Sequence, residues 1–145
     1  MFIIVFAGLP GAGKTHARSL RTDLVDVPVL DMDRLRKTSE KLLGPSTTSY
    51  YIWRDAMLTL LDGLDDHYDN NTEVVIVEGV FTPGSKSNQM LMDKVVQLSA
   101  RVDVQYISTE WWQCIRNILA DFDTDHDEKR ALGRMDIVIR RSYES

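Results

Sequence analysis

An uninterrupted apolar run, Phe2–Ala7, leads straight into Gly8-Leu9-Pro10-Gly11-Ala12-Gly13-Lys14-Thr15. No other stretch of the chain restricts its fold as tightly. The spacing is G-x-x-x-x-G-K-[ST], and it lies between a continuously apolar, β-branched segment (Phe2–Phe6) that reads as a buried strand and a helix expected from about Lys14 to Leu20. Glycines at 8, 11 and 13 let the backbone wrap closely enough for its N–H groups to point inward as an anion nest, and the helix start adds positive potential. Lys14 is placed to reach the β- and γ-phosphates of a nucleoside triphosphate. The Thr15 hydroxyl is placed to ligate the Mg²⁺ that bridges them. The whole loop, residues 8–15, is therefore the expected nucleotide-binding segment, for ATP or another NTP.

The rest of the chain alternates strand and helix patterns. Val27–Asp31, Val74–Gly79 and Val102–Ser108 read as further strands. Helices are expected over about Asp33–Leu42, over the stretch Thr48–Leu64, over Asn88–Ala100, from Trp111 with Thr109 as N-cap, and over Arg134–Glu144; residues 65–73 and 123–133 read as polar connections. Such alternation predicts a doubly wound α/β domain: a parallel sheet of about four to five strands with helices on both faces. At 145 residues, with no repeat or linker, a single domain spanning 1–145 is expected. The longest apolar runs are too short to cross a bilayer, and the first of them lacks the positive flank of a signal peptide. The only cysteine, Cys114, cannot form an internal disulfide and reads as core; a cytoplasmic setting is expected. A net charge of -5 argues against a general grip on duplex nucleic acid but leaves room for a local phosphate site, since seven basic residues cluster in 14–41 and five more in 129–141.

What happens to the γ-phosphate depends on the other strand ends, where ligands of open α/β sheets sit. The second strand ends in "LDMDRLR". If Asp33 opens the helix, Asp33 and Arg36 share a helical face; the carboxylate is then a candidate base for an attacking hydroxyl and the guanidinium a grip for a substrate phosphate. Equally, Asp33 reads as an N-cap and Arg36 as a solvated helix residue. Glu78, closing "VVIVEG", suits the ordering of Mg²⁺ or its water. Tyr50, Tyr51 and Trp53 read as helix core or as a stacking surface for a base; of Trp111 and Trp112, one is expected in the core. His126, among acids, reads as a solvated loop residue.

Together, "GLPGAGKT", "LDMDRLR", "VVIVEGVF" and "ISTEWWQCIRN" resemble the small P-loop kinases of the AAA-type kinase family, most of all the kinase domain of phage polynucleotide kinase. The resemblance implies that Lys14, Asp33 and Arg36 are catalytic, with Asp33 the general base and Arg36 the ligand of the acceptor's phosphate, and that Glu78 takes the place of the third-strand acid, usually Asp. It also implies a short lid over about 117–134, with Arg116 at its start. The family's second lid arginine falls at Ala120 here, which passes the triphosphate clamp to Arg130 or Arg134. The implied activity is ATP- and Mg²⁺-dependent transfer of the γ-phosphoryl group to a hydroxyl, a polynucleotide 5′-hydroxyl (a single-stranded end) or a nucleotide-like acceptor. The alternatives are a kinase of a small metabolite, modified base or nucleotide sugar, and a nucleotide-binding regulatory module with little turnover.

Overall fold

Side chains alternate across a strand, so an apolar run without polar interruption has to be covered on both sides. The computed structural model, which describes residues 1–142, covers both. Strands β1 (Phe2–Ala7), β2 (Val29–Asp31), β3 (Val74–Gly79) and β4 (Arg101–Tyr106) form one parallel sheet in the order β2-β3-β1-β4. Ile3, Val5, Ala7, Val75 and Val77 face one core, completed by Ala56, Met57, Leu60 and Leu64 from α3 (Ser49–Asp69) and by Leu91 and Val95 from α4 (Lys86–Gln97). Ile4, Phe6 and Ile76 face the other side, against Leu24 and Ala17 of α1 (Lys14–Ser19). The remaining helices are α2 (Met32–Leu43), α5 (Trp111–Asp125) and α6 (Glu128–Ser142). Ala12, Cys114, Ile118, Ala131 and Val138 make a third cluster that joins α5 and α6 to the glycine loop; Cys114 is core, as its type suggests.

From β1 the chain moves across β3 to β2, and from β3 it moves back across β1 to β4. The carboxyl end of β1 is therefore the switch point where such sheets open a crevice. Register completes the arrangement: Ala7 pairs with Gly79, and Asp31 with Glu78, so the loop and two carboxylates emerge at one edge.

Several boundaries differ from the sequence reading. β2 begins at Val29, because Pro28 has no N–H to donate. Asp31, not Asp33, caps α2: its carboxylate accepts from the N–H groups of Asp33 (3.0 Å) and Arg34 (3.4 Å), leaving the Asp33 side chain in the first turn without a capping role. α3 runs on through the expected polar loop to Asp69, and there Asp65 pairs with Lys94 of α4 at 3.0 Å. The expected connection 123–133 is mostly helix. His126 ends α5 in the left-handed region (φ 55), and Asp127 starts α6 by accepting the Arg130 N–H at 3.0 Å, so these polar residues serve as caps between two helices. Thr109 does not cap α5; Glu110 holds that position. Both Trp111 and Trp112 are half exposed, because the buried seam of α5 begins at Cys114. Tyr50 and Tyr51 are likewise exposed and not helix core. Of the expected last helix, Tyr143 and Glu144 lie outside the described residues.

Candidate active site

The glycine loop is held by its surroundings. Gly11 sits at φ 77, where a Cβ would come within 2.5 Å of the Cys114 carbonyl; Gly13, at φ 94, opens α1 in the left-handed region. Outward carbonyls are satisfied from α5 and its approach: Asn117 Nδ2 donates to Gly11 O and Thr109 Oγ1 to Ala12 O, each at 2.8 Å. Pro10, Gly13, Lys14 and Thr15 line a cavity of about 730 Å³, whereas Leu9 and Ala12 turn into the α5–α6 core.

Lys14 Nζ donates to the Gly8 and Leu9 carbonyls at 2.8 and 2.9 Å. Burial lowers its pKa to about 8 against a smaller opposing pull from Glu78, so the ammonium is held at a cost that a bound anion would offset. Thr15 Oγ1 donates to Glu78 Oε1 at 2.5 Å, and Arg18 Nε meets Glu78 Oε2 at 2.9 Å. Glu78 is 4 % exposed, so both its oxygens are satisfied inside the protein. A hydroxyl beside a carboxylate is a hard-oxygen pair of the kind that suits Mg²⁺; with one Glu78 oxygen committed to Arg18, Thr15 is the more direct ligand. Beside Glu78, burial first and the Glu78 charge second lift the Asp31 carboxyl above the usual range.

Asp33 faces the same cavity from α2 and meets Arg130 through both of its oxygens, at 2.7 Å to Nη2 and 3.3 Å to Nε. Burial pushes the Asp33 carboxyl up, but the Arg130 fork outweighs it and the net shift is downward. Arg130 Nη1 also meets Asp125 at 2.9 Å, and Arg134 meets Asp121 at 3.0 Å. Arg36 is half-buried in the cavity wall with no ion pair among the described residues. Trp53 joins the wall with its indole N–H donated to Ser87 Oγ at 2.8 Å. The structure thus gathers Lys14, Thr15, Asp33, Arg36, Glu78, Arg130 and Arg134 around one space. Arg116 is not among them: it is exposed on α5, outside the cavity wall, while the next residue, Asn117, lies in that wall. Asn117 had one sequence signal, its place one helical turn after the buried Cys114. Among the described residues the wall carries six basic side chains against four acidic ones, in a chain whose net charge is -5.

No family model and no curated protein sequence matches the chain. Solved structures do. A protein from Chloroflexus aurantiacus provisionally described as a kinase superposes with a TM-score of 0.75 at 15% identity, over 94% of this chain and 76% of its own. A chain of the Pnkp1/Rnl/Hen1 RNA repair complex matches with a TM-score of 0.66 at 17% identity, over 99% of this chain and 45% of its own. A second structure of the Pnkp1/Rnl/Hen1 complex gives 0.60 at 18% identity, over 79% and 38%. In the repair complexes this chain thus spans less than half of the partner it matches. Agreement of this kind at such low identity is agreement of fold: the chain has the parallel α/β architecture of P-loop kinases, with the glycine loop at the switch point of the sheet.

Proposed function

We propose that the protein is an ATP-dependent phosphotransferase whose single domain carries the α5–α6 hairpin as a lid. The observation that carries this reading is the sharing of one cavity by Lys14 and Thr15 of the phosphate loop, the Asp33 carboxylate and the Arg36 guanidinium, which has no ion pair among the described residues. The loop N–H groups and Lys14 bind the β- and γ-phosphates, and Arg130 and Arg134 close on them from α6. Thr15 and, through it or through water, Glu78 would hold Mg²⁺, which supplies neutralising charge to the phosphate oxygens when bound. Asp33 accepts the proton of an acceptor hydroxyl as that oxygen bonds to the γ-phosphorus; the bond from the γ-phosphorus to the bridging oxygen breaks, and the nucleoside diphosphate leaves.

The acceptor is an anionic one, a polynucleotide 5′-hydroxyl end or a nucleotide-like molecule. Arg36 offers a paired grip for its phosphate, beside the two arginines, Arg130 and Arg134, that close on the triphosphate. The structural kinship with chains of an RNA repair complex supports the same choice. The test is transfer of labelled γ-phosphate to an oligonucleotide 5′-hydroxyl. Wild type is expected to label the end, and Asp33→Asn to lose roughly 10²–10⁴-fold in rate; equal transfer by the variant overturns the base assignment. Labelling of a small metabolite in place of the oligonucleotide moves the acceptor class and leaves the chemistry standing.

A further inference from the structure

Among the described residues, α6 meets α2 through ions. Arg130 pairs with Asp33, and its neighbour Lys129 pairs at 3.4 Å with Glu40, seven residues further along α2. The apolar clusters do not bridge the two. The cluster of α5 and α6 contains no residue of α2, and the main core, to which α2 contributes Met32 and Leu35, contains none of α5 or α6. A helical hairpin rooted on the glycine loop by that small core is thus fastened to α2 across the cavity mouth by carboxylate–cation pairs.

The Arg130–Asp33 pair has a particular chemistry. The Nε–Nη2 edge of a guanidinium fits a carboxylate and a phosphate with the same geometry. Asp33 offers both oxygens to that edge, which takes one lone pair of each and stabilises the charged carboxylate, leaving it a weaker base toward a substrate hydroxyl. The remaining nitrogen, Nη1, is held separately by Asp125, which tethers the arginine while its fork changes partner. The Asp33 side chain is 48% exposed, so the pair is partly screened and weak enough to exchange. Arg134 stands one turn further on and meets Asp121 of its own hairpin through Nη1 at 3.0 Å.

We infer that Arg130 is an exchangeable counter-ion which couples the two substrates: on Asp33 it closes the hairpin and keeps the candidate base occupied, and an incoming triphosphate takes the fork and sets Asp33 free. The inference rests on the phosphotransfer reading above. It makes donor binding precede base activation, so a hydroxyl acceptor meets a competent carboxylate only when the nucleotide is in place.

Calorimetric titration with Mg·ATP and no acceptor reads the exchange without turnover. In the wild-type background Asp33→Asn removes the competitor for Arg130, and affinity is expected to rise roughly three- to tenfold. In an Arg130→Gln background the same substitution is expected to change affinity by less than twofold. Glu40→Gln, which releases the second pair outside the cavity wall, gives a smaller rise of up to about twofold. Asp123→Asn, an exposed acid of α5 with no ion pair among the described residues, controls for net charge and is expected to leave affinity unchanged. Unchanged or weakened binding by Asp33→Asn overturns the coupling while leaving the kinase reading intact. Equal strengthening in the Arg130→Gln background, or by Asp123→Asn, also overturns it, since charge alone then accounts for the effect. Failure of the wild type to bind Mg·ATP overturns the phosphotransfer reading itself.

Discussion

The floor and the roof of the cavity are built on different physics. The floor is Lys14, Thr15 and Arg18 of α1, the last two held by Glu78 of the central strand β3; its polar contacts are short and end on a carboxylate that is buried. The roof is α5–α6, with a separate small core and with arginines held by acids that are one third to one half exposed. A buried network can hold one geometry because breaking it leaves an unsatisfied polar group in a dry place; a screened ion pair can change partners because water covers the loss. The contrast suits the proposed phosphotransferase, which would have to fix the transferring phosphate yet open for its substrates.

Lys14→Met is the severest break of the floor. Phosphoryl transfer is expected to fall by at least about 10²-fold, measured as single-turnover rate, because a positioned cation on the transferring group is lost. The same residue gives a pH signature. Its folded pKa of about 8 lies below the unfolded value near 10.5, so the unfolded chain binds the extra proton between these limits and stability rises with pH across that window. The rise is at most about 3 kcal/mol, and Lys14→Met should flatten it in denaturant melts at pH 7.5 and 10. Nucleotide affinity runs the other way, declining above about pH 8 as the free protein loses this charge, with proton uptake detectable in calorimetry across two buffers.

Glu78→Gln should come next. It strips the charge that Arg18 and Thr15 rely on, and chemical denaturation is expected to show a loss of about 2 kcal/mol, below the usual cost of breaking a fully buried pair because Arg18 is 23% exposed. Arg36→Ala is expected to raise the KM for a phosphate-bearing acceptor about tenfold while sparing nucleotide affinity; parallel loss of both would merge the two halves of the site. At the small end, Asp121→Asn frees Arg134 on the roof and should shift the melting temperature by no more than about 2 °C, a contrast with Glu78→Gln that measures how differently floor and roof are held.

The legible parts of the chain were those where a local pattern and its chemistry coincide. The phosphate loop requires glycines at fixed spacing, and the alternation of apolar runs with helical periods implied a parallel sheet, found with four strands. The misread parts were places where a polar stretch has a local use that composition hides. "DTDHDE" reads as a solvated connection, yet His126 and Asp127 are helix caps. Asp31 and Asp33 are two residues apart and both line the cavity, and only the direction of the chain at the end of β2 decided that the first caps the helix and the second meets Arg130.

By itself the sequence determined the strand–loop–helix that would cradle a triphosphate, because backbone geometry there depends on which residues lack a Cβ. It also determined the buried strands, because periodicity records burial. Which arginine reaches the cavity was decided by tertiary structure alone. The resemblance put Arg116 at the start of the lid and left the clamp to Arg130 or Arg134; the packing of Cys114 and Ile118 against Ala131 and Val138 turns Arg116 outward and carries Arg130 across to Asp33, through contacts between residues far apart in the chain.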